Sequence, residues 1–104
     1  MRAFSHYKAA KMFEDGCKLL KTDPIRAEEL LRVVVQIESD NPWGWIYLLF
    51  AMEDNGRPFS MLITTCSKLV EVSTKKPLHG IDGLAVGMID GYLKRAEEMG
   101  LKVL

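Results

Sequence analysis

Apolar residues recur every three to four positions along most of this chain, with polar side chains between them. Over residues 3–21 a polar stripe of Lys8, Lys11, Asp15 and Lys18 opposes Ala9, Met12, Phe13, Gly16, Cys17 and Leu20. Over 24–37, Ala27, Leu30, Leu31, Val34 and Ile37 share one face. Over 58–72, Phe59, Leu62, Cys66 and Leu69 alternate with Ser60, Thr64, Ser67 and Glu71. A last stretch covers 78–99 and is closed by Gly100. A period near 3.6 residues predicts an amphipathic helix in each. The run Val33-Val34-Val35 has strand-forming residues, but Arg26 to Arg32 leads into it without a turn, so helix is the reading there too. Residues 42–54 are different. Between Asn41 and Glu53 there is no charge and no strongly polar side chain. An all-α chain of five helices is therefore expected, with breaks near residues 22, 41, 56 and 77, and one helix in its middle that is apolar on every side.

The prolines separate these stretches. Proline lacks an N–H and holds φ near −65°, which suits the first turn of a helix. Asp23-Pro24 and Asn41-Pro42 place a capping side chain directly before the proline, and Asn55-Gly56-Arg57-Pro58 reads as a stop followed by a start. Pro24 and Pro58 are 34 residues apart, and Pro42 and Pro77 are 35 apart. Each interval joins equivalent boundaries of a two-helix unit.

A two-helix unit with this period resembles the tetratricopeptide repeat. Against the pattern W-x₂-L-G-x₂-Y the chain supplies Trp45 and Leu48, then Leu49 in place of glycine and Met52 in place of tyrosine, with Gly56 at the turn. The A-x₃-F element is met by Ala27 and Leu31, and hardly by Met61 and Thr65. The resemblance implies a single tetratricopeptide-like α-α superhelix over 1–104, with helix pairs at 1–40 and 41–75 and a long C-terminal helix at 77–104. It also implies that Trp45, Leu48 and Met52 hold the repeats together. Trp43, Ile46 and Phe50 then line a concave groove, together with Met12 one repeat earlier and Ile81, Ala85 and Met88 one repeat later. A groove this apolar suits the apolar face of an amphipathic helix, and methionines in it adapt to shape. The alternative is that the chain fills its own groove with the last helix.

In that last helix Gly80, Gly83, Gly87 and Gly91 recur at three- and four-residue spacing. Each glycine inside a helix costs about 1 kcal/mol against alanine, so an offset is expected. Through the repeat register Gly80, Gly83 and Gly87 correspond to Trp45, Leu48 and Met52, the inward face. Close helix packing within the chain is the first reading, and a seam with a partner or a second copy is the other.

Composition narrows the function classes. The chain has 104 residues, 48% of them hydrophobic, and a formal charge of zero from 14 basic and 14 acidic residues. That leaves no electrostatic footprint for nucleic acid or for an anionic membrane surface. The longest uncharged run is 12 residues, short of the roughly 20 that span a bilayer. Two distant cysteines, Cys17 and Cys66, read as buried free thiols in a reducing, cytoplasmic setting. The early charges of the N-terminal stretch do not form a secretory signal. His6 and His79 lack ligand spacing, no phosphate-binding glycine loop occurs, and Glu28-Glu29 and Glu97-Glu98 read as solvated faces. No catalytic constellation, metal site or cofactor site is expected.

The functional expectation is a non-enzymatic binding module or chaperone that shields an amphipathic helix of another protein. Pro42-Trp43 and the segment Leu84-Ala85-Val86-Gly87-Met88 resemble stretches of the small tetratricopeptide-like chaperones of type III secretion needle subunits. The alternative is a structural subunit that self-associates through the glycine-bearing helix.

Overall fold

The computed structural model describes residues 4–75 and 82–100 and, within the helices, the side chains of all but 74, 75 and 82–86. Among the described residues every regular element is a helix: α1 (Tyr7–Leu19), α2 (Pro24–Ile37), α3 (Pro42–Asp54), α4 (Phe59–Lys75) and α5 (Asp82–Glu98). The β-branched run at 33–35 lies inside α2. The expected break near residue 77 lies outside the described residues.

Local chemistry sets the boundaries. The Asp23 carboxylate accepts the backbone N–H of Arg26 at 3.2 Å, with Pro24 as the first helical residue. The Asn41 carboxamide oxygen accepts from the N–H of Trp43 at 3.0 Å, with Pro42 in the same place. Each cap satisfies a donor that the first turn leaves without an intrahelical acceptor. At its other end α3 closes on Gly56, whose φ is +67°. Arg57 N donates to Met52 O and Gly56 N to Glu53 O, both at 3.0 Å. This bond pair requires a left-handed residue, which glycine adopts at least cost.

Helix α1 begins later than its periodicity suggests, at Tyr7 rather than near residue 3. Its start is set from a distance. The Glu38 side chain accepts from Ser5 N at 2.8 Å, from His6 N at 2.9 Å and, at 3.1 Å, meets His6 Nδ1. A carboxylate at a helix N-terminus also meets the positive end of the helix dipole.

Consecutive helices pack on one another throughout. Phe13 of α1 meets Tyr47 of α3, and Arg95 of α5 meets Glu53 of α3, so the odd-numbered helices adjoin on one side. Arg32 of α2 and Ser60, Met61 and Thr64 of α4 border a common hollow on the other. The α3 helix is thus enclosed by α2 and α4, with α1 and α5 at its flanks. That placement accounts for the apolar residues on its buried sides. Ile46, Leu49 and Ala51 are completely buried, and Leu48 and Met52 nearly so. Leu31, Cys66, Leu69 and Ala96 complete the same core from the neighbouring helices.

Two glycines bring helices close, and neither belongs to the stripe in α5. A Cβ on Gly16 would lie 3.1 Å from Leu31 Cγ, and one on Gly44 would lie 3.0 Å from Val35 Cγ1 and 3.2 Å from Val34 Cγ1. The internal seam therefore runs from α1 to α2 and from α2 to α3. Gly87 and Gly91 are exposed, and among the described residues a Cβ on either meets nothing within 4 Å. This corrects the expectation of an internal seam at those two positions; Gly80 lies outside the described residues, as do the surroundings of Gly83. The contrast is measurable. Gly87→Ala is expected to stabilise the chain by about 0.5–1 kcal/mol through helix propensity alone. Gly44→Leu is expected to destabilise it by about 1–3 kcal/mol by overpacking against stiff valines. Urea unfolding midpoints of the two variants check both signs.

Candidate functional site

The side formed by the odd-numbered helices carries a row of aromatic rings. Phe4, just before α1, lies 4.7 Å from Phe13 between ring centroids. Phe13 and Tyr47 meet in a T-shape at 5.1 Å. Tyr47 stacks on Trp43 at 6.2 Å and meets Phe50 edge-on at 5.3 Å. These separations fall in the range where aromatic pairs attract beyond simple burial. Phe4 is buried, while Phe13, Trp43, Tyr47 and Phe50 are half-buried, each with one side packed on the core. Large rings that keep part of their surface in water along one stripe are the main unexplained apolar feature of this face.

Trp43, Tyr47 and Phe50 follow the i, i+4, i+7 spacing of one helix face. The expected groove residue Ile46 is not on it. Ile46 has no solvent exposure and belongs to the core. Its place is taken by Tyr47, which sequence reasoning missed. Met12 is half-buried against the small cluster of Phe4, Ala9 and Val34. Met88 is half-buried against the main core. Ile81 lies outside the described residues, as do the surroundings of Ala85. Trp45 is only half-buried; its indole N–H donates to Ser39 O at 2.8 Å, which keeps one edge of the ring near the surface.

The aromatic row ends at a cleft of about 230 Å³ between α3 and α5. Phe50, Met88 and Tyr92 form its apolar walls, and Gly87 and Gly91 leave it open. Glu53 and Arg95 stand at its edge, 3.7 Å apart. Arg95 also lies over the ring of Phe59, 4.3 Å from its centroid. The Tyr92 hydroxyl lies near the Glu53 carboxylate, and burial followed by that carboxylate pushes its pKa upward. Tyr92 and Ala96 fix α5 to the core, and both were absent from the expected site. Their signal was present: Met88, Tyr92 and Ala96 repeat at i, i+4, i+8.

Two buried carboxylates sit away from this face. Glu28, expected as part of a solvated pair, is 3% exposed. One oxygen accepts from Arg32 Nε and Nη2 at 3.0 and 2.8 Å, and the other from Asn55 Nδ2 and Arg57 Nε at 2.8 and 3.0 Å. It thereby ties α2 to the turn after α3. Burial alone would raise the pKa of Glu28, but the bonds from Asn55, Arg57 and Arg32 outweigh it and hold the carboxyl below its ordinary value of 4.5. Burial likewise opposes the charge on Glu38, and the bonds from Asn41, His6 and Ser5 again prevail, so its carboxyl also lies below 4.5. A lowered folded-state pKa means that the unfolded chain binds more protons as pH drops, so stability falls with pH. The contribution of both groups is fully present above 4.5 and is lost as pH falls through 4.5 toward the lower folded values. Urea midpoints measured from pH 7 to pH 3 are expected to fall across that window. Glu28→Gln is expected to lower the pH 7 midpoint and flatten the acid limb.

Burial pushes the thiols of Cys17 and Cys66 up to about 11, which leaves them protonated near neutral pH. Among the described residues no group of three His, Cys, Asp or Glu side chains is placed to hold a metal ion, and no helix is long and apolar enough to cross a membrane. At the hollow between α2 and α4, Arg32 is engaged by Glu28, Thr64 by Ser60 O and Thr65 by Met61 O. Compared with family models, curated proteins and solved structures, the chain matches none.

Proposed function

We propose that this chain is a non-enzymatic binding module of tetratricopeptide-like build. It receives the apolar face of an amphipathic helix from another protein along α1, α3 and α5. The observation that carries the reading is the half-exposed aromatic row Phe13, Trp43, Tyr47 and Phe50, which continues into an apolar cleft. Aromatic anchors flanked by adaptable methionine are what a helix-in-groove complex uses. The narrower form of the proposal is a chaperone of a type III secretion needle subunit, which rests on Pro42-Trp43 and the segment from Leu84 to Met88. The exposure of Gly87 and Gly91 favours one other reading, a subunit that self-associates through α5.

Co-expression separates the two. The chain is produced alone and together with a type III secretion needle subunit, and each preparation is weighed by sedimentation velocity. A soluble one-to-one complex, with the chain alone monomeric or aggregating, supports the chaperone. A fixed homo-oligomer that ignores the needle subunit overturns it in favour of self-association.

A further inference from the structure

We infer that the cleft between α3 and α5 is a selectivity pocket for one bulky, uncharged side chain of the partner helix. This rests on the binding-module reading above and adds to it a particular guest. Three observations carry it. First, the cleft continues the aromatic row, because Phe50 belongs to both. Second, its openness comes from two glycines that a helix tolerates poorly. Among the described residues Gly87 and Gly91 bring no neighbour closer, so packing against these does not offset their helix penalty. Any larger residue there occupies the space a guest would use.

Third, the charges at the edge are already matched. Glu53 faces Arg95 at 3.7 Å with Tyr92 nearby, while Arg95 lies on the Phe59 ring. A cationic or anionic guest meets no opposite charge without one and must lose hydration to enter. An apolar guest meets Phe50, Met88 and Tyr92 directly. Charge complementarity thus selects a neutral apolar residue, and a volume of about 230 Å³ admits one of aromatic size. The Glu53–Arg95 pair then acts as a positioning element that holds the wall residue Tyr92 and discourages charged side chains.

The test needs no natural partner. The full chain, labelled with ¹⁵N, is titrated with N-acetyl-phenylalaninamide and, in parallel, with N-acetyl-lysinamide and the α-amide of N-acetyl-glutamic acid. The neutral aromatic probe is expected to shift the amide signals of Gly87 and Gly91 with a dissociation constant on the order of millimolar, as befits a fragment of this size. The two charged probes are expected to bind there about tenfold more weakly or not at all. Gly91→Leu is expected to abolish the Gly87 shift while the melting temperature stays equal or rises. Gly91→Ala, a smaller filling, is expected to reduce the shift without abolishing it.

Glycine signals that stay still, or that move equally with all three probes, overturn the pocket. So does a Gly91→Leu chain that folds and still shows the Gly87 shift. The Trp43 indole signal reports on the aromatic row outside the cleft. If it responds while the glycines do not, the row remains a binding surface and only the pocket falls.

Discussion

Ile46→Ala is expected to unfold this chain more readily than any substitution on the aromatic row. Ile46 is fully buried at the centre of α3, and its neighbours Leu48, Leu49 and Met52 leave little freedom to collapse into a vacated space. Removing a buried isoleucine side chain down to alanine costs about 2–5 kcal/mol, from lost transfer energy and the cavity left behind. A chain of this size carries a total stability of only about 5–15 kcal/mol. The melting temperature should fall by roughly 10–25 °C. Thermal unfolding followed by circular dichroism checks it. A shift below about 5 °C would place Ile46 on a surface and restore it to the groove.

Trp43→Ala and Phe50→Ala are expected to act in the opposite way. Both rings are half-buried and have one side free of the core. Some packing is lost on truncation, because Tyr47 stacks on Trp43 and meets Phe50 edge-on. That loss is about 0.5–1.5 kcal/mol per ring pair beyond area burial. The larger effect is on the partner complex, which each change should weaken by about 2–4 kcal/mol, or roughly 30-fold to 1,000-fold. Titration calorimetry against the partner helix, with the helical signal of each free variant as control, separates the two effects. Trp45→Ala is an informative companion. Trp45 is half-buried and its indole holds Ser39 O, so its loss should trim stability with little effect on binding.

The bounds of α2 and α3 were legible in the sequence because their start signals are local. Asp23-Pro24 and Asn41-Pro42 contain both the cap and the first helical residue. The start of α1 was not, since the group that sets it is Glu38, some thirty residues away in sequence. The candidate site was half legible for a related reason. A helix with a polar face announces which side is buried, whereas α3 has no polar face to set the phase. Trp43 and Phe50 lie two turns apart and share the half-exposed face of α3. Between them, spacing alone allowed Ile46 or Tyr47, and the choice rests on where α1 and α5 sit. Glycine spacing in α5 marked a stripe but not its direction. Among the described residues Gly87 and Gly91 face open space, while the close approaches fall to Gly16 and Gly44, where no repeat announces them. Glu28 was misread because a Glu-Glu pair looks solvated until Asn55 and Arg57 come near from the next turn.

The central claim is that the rings of Trp43, Tyr47 and Phe50 touch the apolar face of a partner helix. Intermolecular nuclear Overhauser contacts between partner methyl groups and those three rings test it most directly. The account predicts contacts from successive apolar residues of one helix face to Trp43, Tyr47 and Phe50. Contacts confined to Ile25 and Met61, the exposed apolar side chains of α2 and α4, would contradict it.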